Sequence, residues 1–500
     1  MILAMPSLHF AIVLAAILPL AAAITDPVRV EQGQLSGVPG SDPSVRVFKG
    51  IPFAAPPTGD LRWRAPKPAA DWPGVRKADQ FSATCMQTPY PEGSLYRSEP
   101  QPVSEDCLYL NIWTAAKSAS DKRPVMVWIH GGAFTRGSGS LPTYNGENFA
   151  KKGVVLVTVN YRLGVFGFFA HPELTQESEH HSSGNYGILD EIAALKWVQK
   201  NIAAFGGDPK RVTIFGESAG SWAVNVLVAS PLAKGLFQRA IGESGANFNK
   251  MTPLADLEKS GLRVGPSIQE LRARPAAEVL KALGAYSVNV DGWLLPTDVM
   301  TIFEKGQQND VPILIGSNAD EGTAFMPAKI TVAALEATAK QRFQSRVDEF
   351  ARVYPATSDA EAWKASAALM RDSTFGLQMR TWARMQTKSG KSPAYLYYFS
   401  RVPPGPVGEH YGAFHASEIS YVFGTADIGR RTWDDSDRKL SDVMSSYWVN
   451  FATTGNPNGK SLPTWPNYDE NKDLALGLGD EIRPIPVPNK AGLDFLAESR

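Results

Sequence analysis

One serine of the chain stands between glycines in a pattern that suits a nucleophile. Ser218 lies in TIFGESAGSW (213–222), where Gly216 and Gly220 flank it two positions away on either side. In a nucleophile elbow, a β-strand turns sharply into a helix at such a G-x-S-x-G motif and leaves the serine oxygen exposed at the edge of the sheet. Because a glycine-rich chain can produce the motif by chance, the surrounding residues must supply the rest of the chemistry.

Histidines are scarce downstream of this serine. A serine hydroxyl needs a base within hydrogen-bond reach and a carboxylate that orients the base. In the α/β-hydrolase arrangement the chain order is serine, acid, histidine. His410 and His415 are the two histidines that follow Ser218, so the sequence leaves two candidates for the base.

A pair of glycines upstream is a candidate for the oxyanion hole. The segment WIHGGAF (128–134) follows the apolar run PVMVW and contains Gly131 and Gly132. Without side chains, these residues let backbone N–H groups approach a substrate closely. The residue after the nucleophile, Ala219, is expected to give a third donor.

The elements that must position these residues follow an α/β pattern. Helical stretches such as 189–205 separate short apolar runs, which predict strands at 124–129, 153–161, 211–216, 311–316 and 394–400. Such an alternation predicts a large, mostly parallel central sheet flanked by helices. Ser218 would then lie at the carboxyl end of a strand, where open α/β sheets carry their sites.

Three further segments are expected to surround that sheet. Residues 25–110 are rich in Pro and Trp and predict an antiparallel edge with a loop over the site. Residues 250–300 and 327–390 are largely helical and predict lid insertions over the carboxyl end of the sheet. With no linker in view, we expect a single domain over 24–500. The polar stretch around His171, His180 and His181 is expected to be exposed.

Composition excludes some classes of partner. The chain has 500 residues, a formal net charge of +0 and 43% hydrophobic residues, a globular balance. Its charge balance shows no excess of basic residues that would indicate binding to nucleic acid or to an anionic membrane surface. The oligomeric state stays open.

The N-terminus predicts export. Residues 1–23 are apolar from about Leu8 and end in an Ala-rich cleavage site, which is typical of a secretory signal peptide, although no Lys or Arg precedes the apolar core. An uncleaved anchor is the alternative. In an oxidising, secreted or periplasmic location, Cys85 and Cys107 would pair in a disulfide rather than remain free thiols.

The sequence resembles the type-B carboxylesterase family of α/β hydrolases, which includes cholinesterases and para-nitrobenzyl esterases. The matches follow the order of the family along almost the whole mature chain. They are FKGIPFAAPPTGDLRWRAP (48–66), SEDCLYLNIW (104–113), NYRLGVFGF (160–168), the segment 184–220 and YWVNFATTGNPN (447–458).

The resemblance implies a role for individual residues. It places the nucleophile on Ser218, the acid on Glu321 of GSNADEG, and the base on His415 of HASEISYVFG rather than on His410. Asp320 adjoins Glu321 and is the rival acid. The resemblance also assigns the oxyanion donors, the first disulfide of the family and two buried ion pairs, which fall on Gly131, Gly132 and Ala219, on Cys85 and Cys107, and on Arg62, Glu105, Arg162 and Asp190.

The function implied is that of a secreted serine carboxylesterase acting on small-molecule esters through an acyl-serine, without metal or organic cofactor. The loop 85–107 has no Trp, so choline esters are not expected. Arg97 and Arg136 could bind an anionic acyl group, as in relatives that strip tricarballylate from fumonisins, or both could point to solvent. Ser244 is a candidate pocket residue. The alternatives are an esterase specialised for such polycarboxylate esters, an amide or carbamate hydrolase, and a non-catalytic cholinesterase-like binding protein.

Overall fold

The strands span much of the chain. A computed structural model describes residues 24–282, 284–425 and 432–499, so the predicted signal peptide lies outside the described residues. In chain order the strands of this part are β1 (Val28–Val30), β2 (Gly33–Ser36), β3 (Val38–Pro39), β4 (Arg46–Pro52), β5 (Val75–Lys77), β6 (Thr84–Cys85), β7 (Val103–Ser104), β8 (Tyr109–Thr114), β9 (Arg123–Ile129), β10 (Val155–Val159), β11 (Gly207–Glu217), β12 (Arg239–Glu243), β13 (Ile313–Asn318), β14 (Ala394–Phe399), β15 (Leu474–Leu478) and β16 (Ile482–Pro486).

The helices lie mainly between these strands. In the same described ranges they are α1 (Glu147–Lys151), α2 (Gly164–Phe168), α3 (Pro172–Glu177), α4 (Tyr186–Asn201), α5 (Ala219–Ala229), α6 (Leu254–Leu262), α7 (Ile268–Ala273), α8 (Ala276–Val279), α9 (Val299–Glu304), α10 (Val332–Phe343), α11 (Val347–Val353), α12 (Asp359–Met370), α13 (Leu377–Ser389), α14 (Pro406–Tyr411), α15 (Ile419–Phe423), α16 (Asp435–Thr454) and α17 (Lys490–Glu498).

A single large sheet organises the molecule. Its order is β16-β15-β14-β13-β12-β11-β9-β10-β8-β4-β3 among the described residues. The run from β10 to β15 pairs in parallel, whereas β8, β4 and β3 at one end and β16 at the other pair antiparallel. The predicted mostly parallel sheet with an N-terminal antiparallel edge is confirmed.

The central strands are apolar because both faces of the sheet are covered. Successive side chains of a strand point to opposite faces. In β9, Val125, Val127 and Ile129 join one buried cluster, whereas Met126 and Trp128 join another on the opposite face. The predicted strands match β9, β10, β11, β13 and β14, and the helix predicted at 189–205 corresponds to α4.

Two buried ion pairs and a disulfide connect segments of the N-terminal part of the chain. Arg162 and Asp190 lie 2.7 Å apart, and Arg62 lies 2.6 Å from Glu105, as the resemblance implied. Cys85 and Cys107 are joined in a disulfide. One surface prediction is wrong, because His171 is fully buried and its Nε2 lies 3.1 Å from the Gly265 carbonyl.

The helical segments differ in their relation to the carboxyl end of the sheet. A large cavity at that end is lined by residues of 327–378, including α10 and part of α12. Among the described residues, the segment 250–300 adds one lining residue, Lys250. Within 250–300, α6 packs against the segment around Ala170, whose carbonyl Gly261 approaches closely.

No membrane-spanning helix is found among the residues that the structure describes.

Candidate active site

Ser218 lies in a strained turn between β11 and α5. Its backbone has φ 58° and ψ −122°, a conformation that residues other than glycine seldom adopt. The turn requires close packing, because a Cβ added to Gly220 would lie 2.0 Å from the Ile129 carbonyl oxygen. Glycine at this position therefore lets α5 approach β9 and leaves the serine half-buried at the strand end.

A histidine and a glutamate meet beside this turn. His415 Nδ1 donates to Glu321 Oε2 over 2.6 Å, and both side chains are buried. The other Glu321 oxygen accepts the Asn318 N–H at 2.8 Å, so the carboxylate is held from two directions. The rival acid Asp320 instead accepts the backbone N–H of Ala413 at 2.8 Å. His410 is exposed on α14.

The second imidazole nitrogen has a partner that the sequence interpretation missed. His415 Nε2 lies 3.2 Å from Glu217 Oε1, and Ser218 Oγ makes no hydrogen bond to His415 in the described structure. Burial, and then the charges of Glu321 and Glu243, raise the pKa of Glu217 well above its ordinary value. Its signal in the sequence is a carboxyl directly after the buried run 212–216, next to the candidate nucleophile.

Further carboxyls lie buried around this pair. Burial, followed by the charges of Glu217, Glu243 and Glu321, raises the pKa of Glu418 well above its ordinary value. Burial also raises the pKa of Glu243 to about 8, opposed by the hydrogen bond from Trp448 Nε1 at 2.9 Å. Burial therefore favours the neutral form of Glu217, Glu418 and Glu243, which limits the negative charge close to the imidazole.

The upstream glycines lie against the turn that carries Ser218. A Cβ added to Gly131 would lie 3.0 Å from Ser218 Cβ, and Gly132 has φ +107°. Ala219 is the first residue of α5, so its N–H has no acceptor within the helix. His130, just before the glycines, stacks on Tyr161 with ring centroids 4.5 Å apart, and burial lowers its pKa to about 4.

Ser218 opens into a cavity of about 1170 Å³. Most of the wall is apolar, with Ser244 among its polar residues; Ser244 Oγ is buried and has no hydrogen-bond partner in the described structure. The charged residues of the described lining are Lys250 and Arg342, and no Asp or Glu belongs to it. Aromatic lining residues include Phe134, Trp222, Phe325, Phe343 and Phe375.

The two arginines predicted for a substrate pocket lie elsewhere. Neither Arg97 nor Arg136 belongs to the lining of this cavity. Arg136 Nε donates to the Thr88 carbonyl at 3.1 Å, and its guanidinium lies 5.1 Å from the Tyr90 ring centroid. The Nε and Nη2 atoms of Arg136 therefore bond to a neighbouring loop, whereas Arg97 is exposed on the surface.

Comparison with known proteins identifies the family. The family model described as "Carboxylesterase family" matches residues 25–492. The chain is 39% identical to Fumonisin B1 esterase of Sphingopyxis macrogoltabida, with 93% of this chain and 89% of that protein covered. It is 37% identical to Para-nitrobenzyl esterase of Bacillus subtilis (strain 168), with 91% and 95% covered. It is 35% identical to Carboxylesterase 5A of Canis lupus familiaris, with 91% and 86% covered.

The solved structures agree with this assignment. A structure of PNB esterase superposes with a TM-score of 0.82 at 34% identity and covers 94% of this chain and 99% of that chain. A second structure of PNB esterase gives a TM-score of 0.80 at the same identity. The chain therefore belongs to the carboxylesterase family, with the α/β-hydrolase fold, and is a carboxylic ester hydrolase of the serine hydrolase class.

Proposed function

We propose that the enzyme hydrolyses esters through an acyl intermediate on Ser218, with His415 as the base and Glu321 as the acid that orients it. The observation that carries this proposal is the 2.6 Å contact between His415 Nδ1 and Glu321, beside the serine that opens into the cavity. A carboxylate on Nδ1 fixes the tautomer in which Nε2 is free to take a proton.

The proposed reaction has two halves. Ser218 Oγ attacks the ester carbonyl carbon while His415 Nε2 takes the hydroxyl proton, and the same nitrogen then gives this proton to the departing alcohol. Water repeats the sequence on the acyl-serine and releases the acid. In free enzymes the hydrogen bond between the nucleophile and its base is often long and tightens only when substrate binds. The imidazole would then exchange its contact with Glu217 for one with Ser218.

The oxyanion is proposed to bind the N–H groups of Gly131, Gly132 and Ala219. Support comes from the approach of Gly131 to Ser218 and from the free N–H at the start of α5. Such donors act on charge that develops only in the transition state, and the loss of one costs about 2.7–4 kcal/mol.

Covalent labelling tests the nucleophile. An aryl phosphonate should add once per chain, to the tryptic peptide 212–234, and inactivate the enzyme in step with labelling. A correctly folded Ser218→Ala variant should take no label. His415→Ala should react far more slowly, whereas the matched control His410→Ala should react like the wild type. Full activity in a completely labelled enzyme would refute the assignment.

A second candidate is specialisation for esters of polycarboxylic acids. It is favoured by a cavity wall that contains Lys250 and Arg342 but no carboxylate in its described lining, and by a relative named Fumonisin B1 esterase. A cation that binds an anionic substrate group contributes about 1.5–3 kcal/mol, or roughly 10–100-fold in specificity.

Two substrates of equal chain length test this specialisation. We expect mono-para-nitrophenyl glutarate to exceed para-nitrophenyl valerate in kcat/KM. A double variant Lys250→Met, Arg342→Met should lower that ratio by about tenfold or more. Lys234→Met, at an exposed site outside the cavity, serves as the charge control. An unchanged ratio would exclude the specialisation while leaving the esterase assignment intact.

We further propose that residues 1–23 are a signal peptide and that the mature enzyme, a single domain over 24–500, is secreted or periplasmic. The disulfide Cys85–Cys107 supports an oxidising location. The intact mass of the exported protein should correspond to a chain that begins near Ile24. A mass that retains the leader, or activity confined to the cytoplasm, would contradict export.

A further inference from the structure

The disulfide loop, residues 85–107, contacts both sides of the candidate active site. It begins and ends at the disulfide, which closes a segment of sequence separation 22. One part of the loop meets the glycine segment 131–137, which carries the proposed oxyanion donors. Another part meets His415, the proposed base.

Gln87 makes a two-way hydrogen bond with the end of the glycine segment. Its Nε2 donates to the Gly137 carbonyl at 2.8 Å, and its Oε1 accepts the Gly137 N–H at 2.9 Å. The position of Gly137 matters for the donors, because a Cβ added there would lie 2.5 Å from the Gly131 carbonyl oxygen. Gln87 therefore fixes the residue that packs directly against Gly131.

Arg136 and the loop add a second connection on the same side. Arg136 donates to the Thr88 carbonyl at 3.1 Å and to Thr88 Oγ1 at 3.2 Å. Its guanidinium also lies over the ring of Tyr90. Arg136 therefore connects the disulfide loop to the glycine segment.

Tyr96 makes the contact on the side of the base. Its hydroxyl donates to the backbone carbonyl of His415 at 3.2 Å. The two rings meet edge to face, with centroids 6.4 Å apart and an interplanar angle of 82°. The ring of Tyr90 lies 5.9 Å from that of Tyr96, so the aromatic contacts run from Arg136 to the imidazole.

We propose that the disulfide loop positions the catalytic centre, with Gln87 holding the oxyanion segment through Gly137 and Tyr96 holding the backbone and ring of His415. Neither residue touches the reacting atoms, so both are positioning residues. The inference rests on the proposed function, because it assumes that Gly131 and His415 act as assigned there.

The expected size of the effect follows from the geometry that catalysis needs. Displacing a reacting group by about 1 Å can cost 10²-fold in rate, and losing one oxyanion donor costs about 10²–10³-fold. Gln87→Leu removes both hydrogen bonds to Gly137, together with the one that Nε2 donates to the Cys85 carbonyl at 3.1 Å. At similar volume it should lower kcat by about 10–100-fold with KM within a factor of about two. Tyr96→Phe removes a single oxygen and should lower kcat by about 3–10-fold.

The test measures turnover per competent serine. Each variant is titrated to its end point with an aryl phosphonate, and kcat on para-nitrophenyl butyrate is divided by the titrated sites. Positioning predicts a full count of sites with slower turnover in Gln87→Leu and Tyr96→Phe. Glu99→Gln, at an exposed position of the same loop, should match the wild type.

A purely structural role predicts the opposite result. It would lower the melting temperature and the number of titrated sites while leaving turnover per site unchanged, and that outcome would overturn the proposal. Gln87→Glu keeps an acceptor for the Gly137 N–H and should fall between Gln87→Leu and the wild type. If Gln87→Leu does not fold, Tyr96→Phe decides the question, because it deletes only the hydroxyl.

The proposal can fail independently of the assignment of the nucleophile. If Ser218→Ala is inactive but both loop variants turn over like the wild type at each titrated site, only the role of the loop is refuted. If Ser218→Ala stays active, the proposed function itself is refuted.

Discussion

Asp320 and Glu321 are neighbours in the chain but have different partners. Glu321 Oε2 contacts the His415 ring, whereas Asp320 accepts the N–H of Ala413. Glu321→Gln should lower kcat by about 10³–10⁴-fold, because an amide no longer stabilises the imidazolium or enforces its tautomer. Asp320→Asn, the matched control, should keep kcat within about tenfold. Steady-state kinetics on folded variants checks both, and the reverse order of effects would reassign the acid.

A second residue, Glu191 on α4, should make stability depend on pH. Both of its carboxyl oxygens are buried without a hydrogen-bond partner in the described structure. Burial, and then the charge of Asp190, raises the pKa of Glu191 well above its ordinary value of 4.5. Above about pH 4.5 the unfolded chain releases this proton while the folded chain retains it, so this group lowers stability as pH rises.

The isosteric variant tests that linkage. Glu191→Gln should raise the melting temperature relative to the wild type, and by more at pH 8 than at pH 5. Thermal unfolding at both pH values measures the difference. An equal shift at the two values would contradict the buried, protonated carboxyl. The exposed position Glu99→Gln provides a control, since its pH dependence should match that of the wild type.

Candidate site residues within local motifs could be proposed from the sequence, whereas contacts that only folding creates could not. Ser218 and the glycine pair follow from short patterns of small residues, and the resemblance indicated His415. Glu217 was missed as a partner of His415 because the inward direction of its side chain depends on the turn. Gln87 is far from Gly137 in the chain, so no local pattern relates them.

At the scale of elements, the elbow depends on the close contact of α5 with β9. Gly220→Ala would place a Cβ 2.0 Å from the Ile129 carbonyl oxygen, so the turn must shift. We expect kcat to fall by about 10²-fold or more. Gly235→Ala, where a Cβ meets no atom within 4 Å, should cost stability through its φ of +80° but leave kcat within about twofold. Unchanged kcat in Gly220→Ala would contradict the packing argument.

The elements themselves were largely predictable from hydrophobic patterning. Buried parallel strands are continuous apolar runs, and β9, β10, β11, β13 and β14 were located in this way. The wall of the cavity was predicted less well. Both helical segments were expected over the site, yet residues of 327–378 supply most of that cover and 250–300 supplies Lys250 in the described lining. Amphipathic helices do not specify which neighbour they pack against.

At the scale of the whole molecule, the disulfide closes the loop that contacts both sides of the site. In the chain-entropy model, a loop with its sequence separation of 22 contributes about 3 kcal/mol. The double variant Cys85→Ser, Cys107→Ser should lose about that much unfolding free energy in urea. Its turnover per titrated serine should also fall, and full retention of both quantities would contradict the account.

The central claim is that Ser218 is the nucleophile of an ester hydrolase. The most direct measurement is hydrolysis of para-nitrophenyl esters from acetate to laurate by the mature wild type and by Ser218→Ala, with folding checked by circular dichroism. We predict wild-type activity on at least the short acyl chains and a loss of about 10³-fold or more in the variant. A folded Ser218→Ala enzyme that hydrolyses these esters as fast as the wild type would contradict the account.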